Sequence, residues 1–268
     1  MTLDEFMSIP GDENPLGQIR PNGGFCGIFR TIGCIGDSLS SGEFESLDED
    51  GNMGWHDMYE YSWGQYIART AGCKVWNFSR GGMTAEWYWS SFAEENGFWD
   101  EDKLCQAYII ALGVNDILGC GQAIGGVESV CLEDYDKNAK DFAGYYARII
   151  QRIRKMQPQA RFFLMTMPRE DGDDGKRRAL ADRHAELMHQ LAELFPHTYV
   201  LDFRRYAPCY DKAFRSRFYL GSHMNAAGYL LTAQMAMSGI DAIIRANMED
   251  FAQVGFIGQP FHNVSARW

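Results

Sequence analysis

Four short polar islands in this 268-residue chain hold the residue types that acyl-transfer chemistry requires. Gly36-Asp37-Ser38 offers a hydroxyl, and Gly81-Gly82 offers a bare stretch of backbone. Gly113-Val114-Asn115-Asp116 adds an amide, and Gly221-Ser222-His223-Met224-Asn225 adds an imidazole. A serine hydroxyl is a weak nucleophile until a neighbouring base takes its proton. Neutral histidine, with an ordinary pKa of roughly 6.5, suits that task near neutral pH. The tetrahedral intermediate of acyl transfer needs donors preorganised where negative charge develops. The backbone N–H groups of Ser38 and Gly82 and the Asn115 side chain would supply three. Alone, Gly-Asp-Ser reads equally as a turn closing a strand, so the weight rests on the set.

Such a set works only if the fold gathers it. Ile28 to Ile35 reads as a strand buried on both faces, and Lys74–Phe78, Ala107–Leu112, Arg161–Thr166 and Thr198–Asp202 read as four more. Helical spacing covers Tyr59–Ala71, Asp134–Met156 and Lys176–Phe195. A last helix starts near Ala226, with Leu230, Ala233, Met237, Ile240 and Ile244 on one face. Strands alternating with helices predict a mainly parallel sheet covered on both sides, in one domain over residues 1–268. An irregular arm (about 1–25) precedes it, and a tail (about 247–268) follows. The first three islands each follow a strand, so a parallel sheet brings them to one edge, where α/β folds place their ligands. The fourth lies just before the last helix.

The segments between are less informative. Glu43 to Asp57 reads as an acidic, solvated loop. Asp48, Asp50 and Asn52 have the spacing of the first calcium-loop ligands, but Met53 and Tyr59 stand where a glycine and a carboxylate are needed. Residues 119–133 read as a loop, and Ile124 breaks the dinucleotide fingerprint that Gly119 and Gly121 begin. Asp37, Asp116 and Asn225 read as caps that hold turns in place. His56, His184, His189, His197 and His262 show no metal-ligand spacing and read as surface or helix-flank residues.

Composition narrows the partners. Apolar residues at 46% supply a core, and a net charge of −11 excludes a nucleic-acid partner, whose phosphates need a basic surface. The longest apolar run, Ala107–Leu112, is too short to span a bilayer. The acidic first ten residues lack the pattern of a signal peptide. Seven cysteines without a Cys-x-x-Cys pair predict reduced, mostly buried thiols in a cytoplasmic protein, with no zinc site. No metal or cofactor is expected.

In order, spacing and placement at strand ends, the four islands resemble the SGNH hydrolases, also called GDSL esterases and lipases. Ser38, Gly82, Asn115 and His223 match the family's four blocks, and the likeness runs from about residue 28 to 230. It implies a three-layer α/β/α fold with a flavodoxin-like, five-stranded parallel sheet. It also implies ester hydrolysis through an acyl-enzyme, with Ser38 as nucleophile, His223 as base, and Ser38, Gly82 and Asn115 around the oxyanion. One position departs: where the family carries an aspartate three residues before the histidine, this chain has Leu220. Three arrangements stay open. A backbone carbonyl near Leu220 accepts the other ring N–H and leaves a Ser-His dyad, or Asp202 or Asp211 reaches in, or the site is impaired and the protein is a binder.

For the substrate, polar, acidic and aromatic loops favour a short acyl group such as acetyl on a carbohydrate. Arg80, Trp87 and Trp89, close to the Gly82 block, are candidate pocket residues, although aromatics of this kind more often belong to a core. Lysophospholipid or thioester substrates, transfer to an acceptor other than water, and an oligomeric state all stay compatible with these residues.

Overall fold

The computed structural model describes Leu16, Ile19 and residues 22–171 and 175–259. In chain order, strand β1 (Thr31–Gly36) is followed by helix α1 (Ser38–Ser41) and a hairpin of β2 (Glu43–Leu47) and β3 (Met53–Asp57). Next come α2 (Trp63–Ala71), β4 (Lys74–Ser79), β5 (Ala107–Ala111), α3 (Phe142–Met156) and β6 (Arg161–Met165). Then follow α4 (Gly175–Leu194), β7 (Thr198–Leu201), α5 (Lys212–Phe218), the short pair β8 (Tyr219–Leu220) and β9 (His223–Met224), and α6 (Ala226–Ala246).

Five strands form the central sheet in the order β4-β1-β5-β6-β7, every neighbouring pair parallel. Alternation along each strand divides the core in two. Tyr108, Ile110, Phe162 and Leu164 pack with Phe142, Tyr146 and Ile150 of α3 and Leu187 and Leu191 of α4. Ala107, Ile109 and Phe163 point the other way, to Trp63 and Ile67 of α2 and Ala233, Met237 and Ile240 of α6. Both faces are therefore dry, which is why these strands read as unbroken apolar runs. The three-layer α/β/α fold with five parallel strands is present as expected.

Several boundaries differ from the sequence reading for local reasons. Gly24–Ile28 is a 3-10 turn, so β1 starts at Thr31. Ser62 caps α2 by accepting from the Gln65 N–H, which leaves Tyr59–Tyr61 outside the helix. Asp141 caps α3 by accepting from the Gly144 N–H, and Tyr135–Lys137 is a separate turn. In both cases a cap overrode a hydrophobic spacing that continued past it by coincidence.

The largest correction lies in residues 43–57. The expected acidic loop is an antiparallel hairpin, with Glu43 opposite Asp57 and Glu45 opposite Trp55. Asp48 closes its turn, donating N–H to the Asn52 carbonyl (3.0 Å) and accepting from the Asn52 amide (2.9 Å). Glu45 is buried, and β2 packs against the β8–β9 pair.

The expected buried thiols are only partly so: Cys26, Cys34 and Cys105 are buried, Cys120 is exposed, and the rest lie between. Burial pushes Cys105 up to about 12 and Cys73 up to about 11, so neither is a thiolate at neutral pH. The arm expected over about 1–25 falls almost wholly outside the described residues, as do Phe261 and Trp268 of the tail. The described part of the tail packs on its own chain: the Phe251 ring lies 5.3 Å from Tyr199, and Gln106 donates to the Val254 carbonyl (2.8 Å).

Candidate active site

β1 lies between β4 and β5, and Gly36 stands level with Ser79 on one side and Ala111 on the other. Ser38 follows two residues later, Gly82 three after Ser79, and Asn115 four after Ala111. Parallel register thus delivers three of the four motif residues to one end of three adjacent strands. The fourth, His223, sits on β9, which packs against α1.

Each loop is held by its own polar residue. Asp37 adopts an extended backbone and accepts from the Leu39 N–H (3.0 Å), so the chain turns directly into α1 at Ser38. As the first residue of that helix, Ser38 has a backbone N–H with no acceptor inside it. Gly82 has φ +73°, a conformation other residues adopt at a cost of about 1 kcal/mol or more. A Cβ there would meet only open space, so the backbone conformation, not crowding by protein, is what calls for glycine. Asn115 sits on a π-helical turn, Val114–Gly119, and one amide hydrogen goes to the Met83 carbonyl (3.1 Å). An amide has two hydrogens, so the other stays available to an oxyanion. Replacing Asn115 by alanine is expected to lower kcat by about 10²–10³, measured on an aryl acetate, with an unchanged circular dichroism spectrum.

Beneath these loops sit two buried titratable groups. Asp116 is fully buried, and its Oδ1 accepts from the Ala85 N–H (2.7 Å), tying the Asn115 loop to the Gly82 loop. Its Oδ2 has no partner, which suits a protonated carboxyl. Burial raises its pKa to about 7, and that of Asp37 to about 6. A raised carboxyl pKa gives stability that is whole below the ordinary 3.8 and is lost as pH climbs through the folded value. Asp116→Asn should therefore be more stable than wild type at pH 8, by no more than about 4 kcal/mol, with the gain shrinking toward pH 4. Thermal melts of both proteins across that range check it; a difference independent of pH contradicts it.

His184, expected at a surface or helix flank, is instead wholly buried under Gly113. Its Nε2–H donates to the Leu112 carbonyl (3.1 Å), and burial lowers its pKa to about 4, so it supports the Asn115 loop as a neutral ring.

The acceptor for the His223 ring comes from a place the sequence reading did not consider. Glu45 of β2 puts Oε1 2.7 Å from His223 Nδ1. The same carboxylate accepts from the Ser222 N–H (3.0 Å) and from the Ser222 hydroxyl. Burial works against its charge, but the hydrogen bonds from Ser222 and His223 prevail and hold its pKa below the ordinary value. Gly221, at φ +83°, leaves the space: a Cβ there would collide with the Glu45 carboxylate.

The residues expected in this role lie elsewhere. Asp202 caps the short helix Phe203–Tyr206 and accepts from His189 Nε2 (2.9 Å). It lines a cavity of about 590 Å³ between β7, α4 and α6 that none of the four motif residues touches. Asp211 caps α5 through the Phe214 N–H (2.7 Å). Leu220 pairs with His223 across the β8–β9 turn, but the ring nitrogen is taken by Glu45. Asn225 caps α6, accepting from the Gly228 N–H (2.9 Å), as expected.

Of the expected pocket residues, Trp89 turns away, its ring 5.5 Å from Tyr135 and 6.2 Å from Trp99 in an aromatic cluster. Arg80 lies 5.8 Å over the exposed Trp87 ring, beside the Gly81-Gly82 turn.

With this geometry in place, the chain belongs to the GDSL-like lipase/acylhydrolase family, whose model matches residues 34–231. Among solved structures it resembles a family two carbohydrate esterase from Clostridium thermocellum in complex with cellohexaose. The two are 19% identical, with a TM-score of 0.56, over 82% of this chain and 65% of the other. A family 3 carbohydrate esterase from Clostridium thermocellum is 15% identical, with a TM-score of 0.51, over 81% and 97%. An acetyl xylan esterase, AlAXEase, is 16% identical, with a TM-score of 0.50, over 78% and 99%. At such identities the likeness is one of fold. No curated protein sequence matches this chain. Among the described residues, no helix is long and apolar enough to cross a membrane.

Proposed function

We propose that the protein is a serine ester hydrolase that works through an acyl-enzyme on short-chain esters, acetylated carbohydrate foremost. The observation that carries this reading is the 2.7 Å contact between Glu45 and His223 Nδ1, made by two strands, β2 and β9, that both pack against α1, the helix Ser38 begins. A carboxylate on Nδ1 fixes the tautomer whose Nε2 lone pair can take a proton once Glu43, 3.2 Å from that nitrogen, gives way.

In the proposed reaction His223 Nε2 takes the Ser38 proton while Oγ attacks the ester carbonyl. The N–H groups of Ser38 and Gly82 and the second Asn115 amide hydrogen receive the negative oxygen. Collapse expels the alcohol, which leaves with the proton from His223, and water then releases the acid by the same steps. The Glu45 carboxylate steadies the imidazolium that forms in each half.

Charge and fold likeness support the substrate class. The net charge of −11 favours a neutral alcohol moiety, as in a sugar; the named fold relatives act on carbohydrate esters. Assays of acetate release from acetylated xylo-oligosaccharides, beside 4-nitrophenyl acetate and octanoate, test the reading. Turnover of both acetyl substrates with little on octanoate is expected. Preference for octanoate, or no hydrolysis of any ester, contradicts it.

A further inference from the structure

His223 has a carboxylate on each of its ring nitrogens. Glu45 takes Nδ1, and Glu43, two residues earlier on β2, puts Oε1 3.2 Å from Nε2. The side chains of Glu43 and His223 are each largely shielded from solvent, so the contact is not a loose surface pair. The other Glu43 oxygen leans on Gly81, where a Cβ would collide with it. The Glu43 carboxylate thus bridges the imidazole and the turn that carries Gly82.

The hydrogen-bond inventory makes this pairing consequential. A carboxylate only accepts, and a neutral imidazole has one N–H to give. With acceptors on both nitrogens, the ring is satisfied as an imidazolium with a hydrogen on each. That form has no lone pair with which to take a proton from Ser38.

We propose that Glu43 is a positioning residue that holds His223 in a resting, doubly protonated form, and that an arriving ester displaces it from Nε2. As Glu43 swings away, the Nε2 proton passes to water and leaves the neutral ring with Nδ1–H on Glu45, the form in which it is a base. The inference deepens the hydrolase reading and rests on it only for the consequence to Ser38. Of the other charged or titratable groups on the surrounding elements, Asp37 before α1 feels the charge of His223, Asp57 lies opposite Glu43 on β3, Tyr219 is on β8, and Tyr229 of α6 donates to the Glu43 carbonyl. Negative charge on the two aspartates acts in the same direction as that of Glu43, whose carboxylate is the one in contact with Nε2.

The test needs no substrate. Nitrogen-15 shifts of His223 in the free protein at neutral pH are expected to show both nitrogens protonated in wild type. In Glu43→Gln and Glu43→Ala they should show only Nδ1 protonated. Both variants should also react with a fluorophosphonate at Ser38 roughly tenfold faster at neutral pH, the worth of a charged hydrogen bond. An imidazole with the same protonation in all three proteins overturns the proposal, as does loss of Ser38 reactivity in both variants. A wild type whose Ser38 takes no label sinks the hydrolase reading, while the nitrogen shifts still decide the role of Glu43.

Discussion

Ser38→Ala is expected to lose about 10⁶-fold in kcat on 4-nitrophenyl acetate, the scale on which removing a serine nucleophile acts in enzymes of this chemistry. The change deletes one oxygen from the first residue of α1. It leaves the cap intact, because Asp37 and the Leu39 N–H make that bond. Its thermal midpoint should therefore stay close to wild type. A variant that keeps even a hundredth of wild-type kcat would show that another group attacks the ester, and the acyl-enzyme mechanism would fall.

Glu45→Gln is expected to cost about 10⁴ in kcat with little change in KM. Glutamine keeps the shape and still accepts from the Ser222 N–H. Its amide, however, donates to Nδ1 and forces the proton onto Nε2, the tautomer that cannot act as base. Asp202→Asn and Asp211→Asn, whose carboxylates cap other helices, should stay within a few-fold of wild type. The contrast matters more than any single value. Full activity in Glu45→Gln, or a large loss in either aspartate variant, would assign the orienting carboxylate wrongly.

The motif residues at strand ends were legible because parallel strands buried on both faces announce themselves as apolar runs, and small polar residues mark where each run stops. Ile35-Gly36-Asp37-Ser38 and Leu112-Gly113-Val114-Asn115 are such boundaries, and the sheet order does the rest. Glu45 was hidden for two reasons. It lies 178 residues from His223 in sequence, so no spacing rule links them. And glutamate is disfavoured in strands, so Glu43-Phe44-Glu45-Ser46-Leu47 looked like solvated loop. A signal was present: Asp50-Gly51 stands between two five-residue runs in which Phe44, Met53 and Trp55 mark strand positions, the pattern of a hairpin. Phe44 ties the hairpin to the fold by packing on Tyr229 (5.4 Å), Leu47, Met53 and Trp55 stay exposed, and Glu43 and Glu45 meet His223. His184 was misread for a related reason. A histidine on an amphipathic helix looks like a surface residue until the Leu112 carbonyl above it is known.

The hairpin also explains how a chain with leucine at position 220 can orient its histidine. The carboxylate that the family's local spacing would put three residues before the ring arrives instead from β2. The side chain of Leu220 is left to solvent, 44% exposed.

Active-site labelling with a fluorophosphonate, followed by peptide mass mapping, tests the central claim most directly. One phosphonyl group per chain is predicted, confined to Ser38 and absent from His223→Ala. Folded wild-type protein that takes no label, or carries it on any residue other than Ser38, would contradict the account.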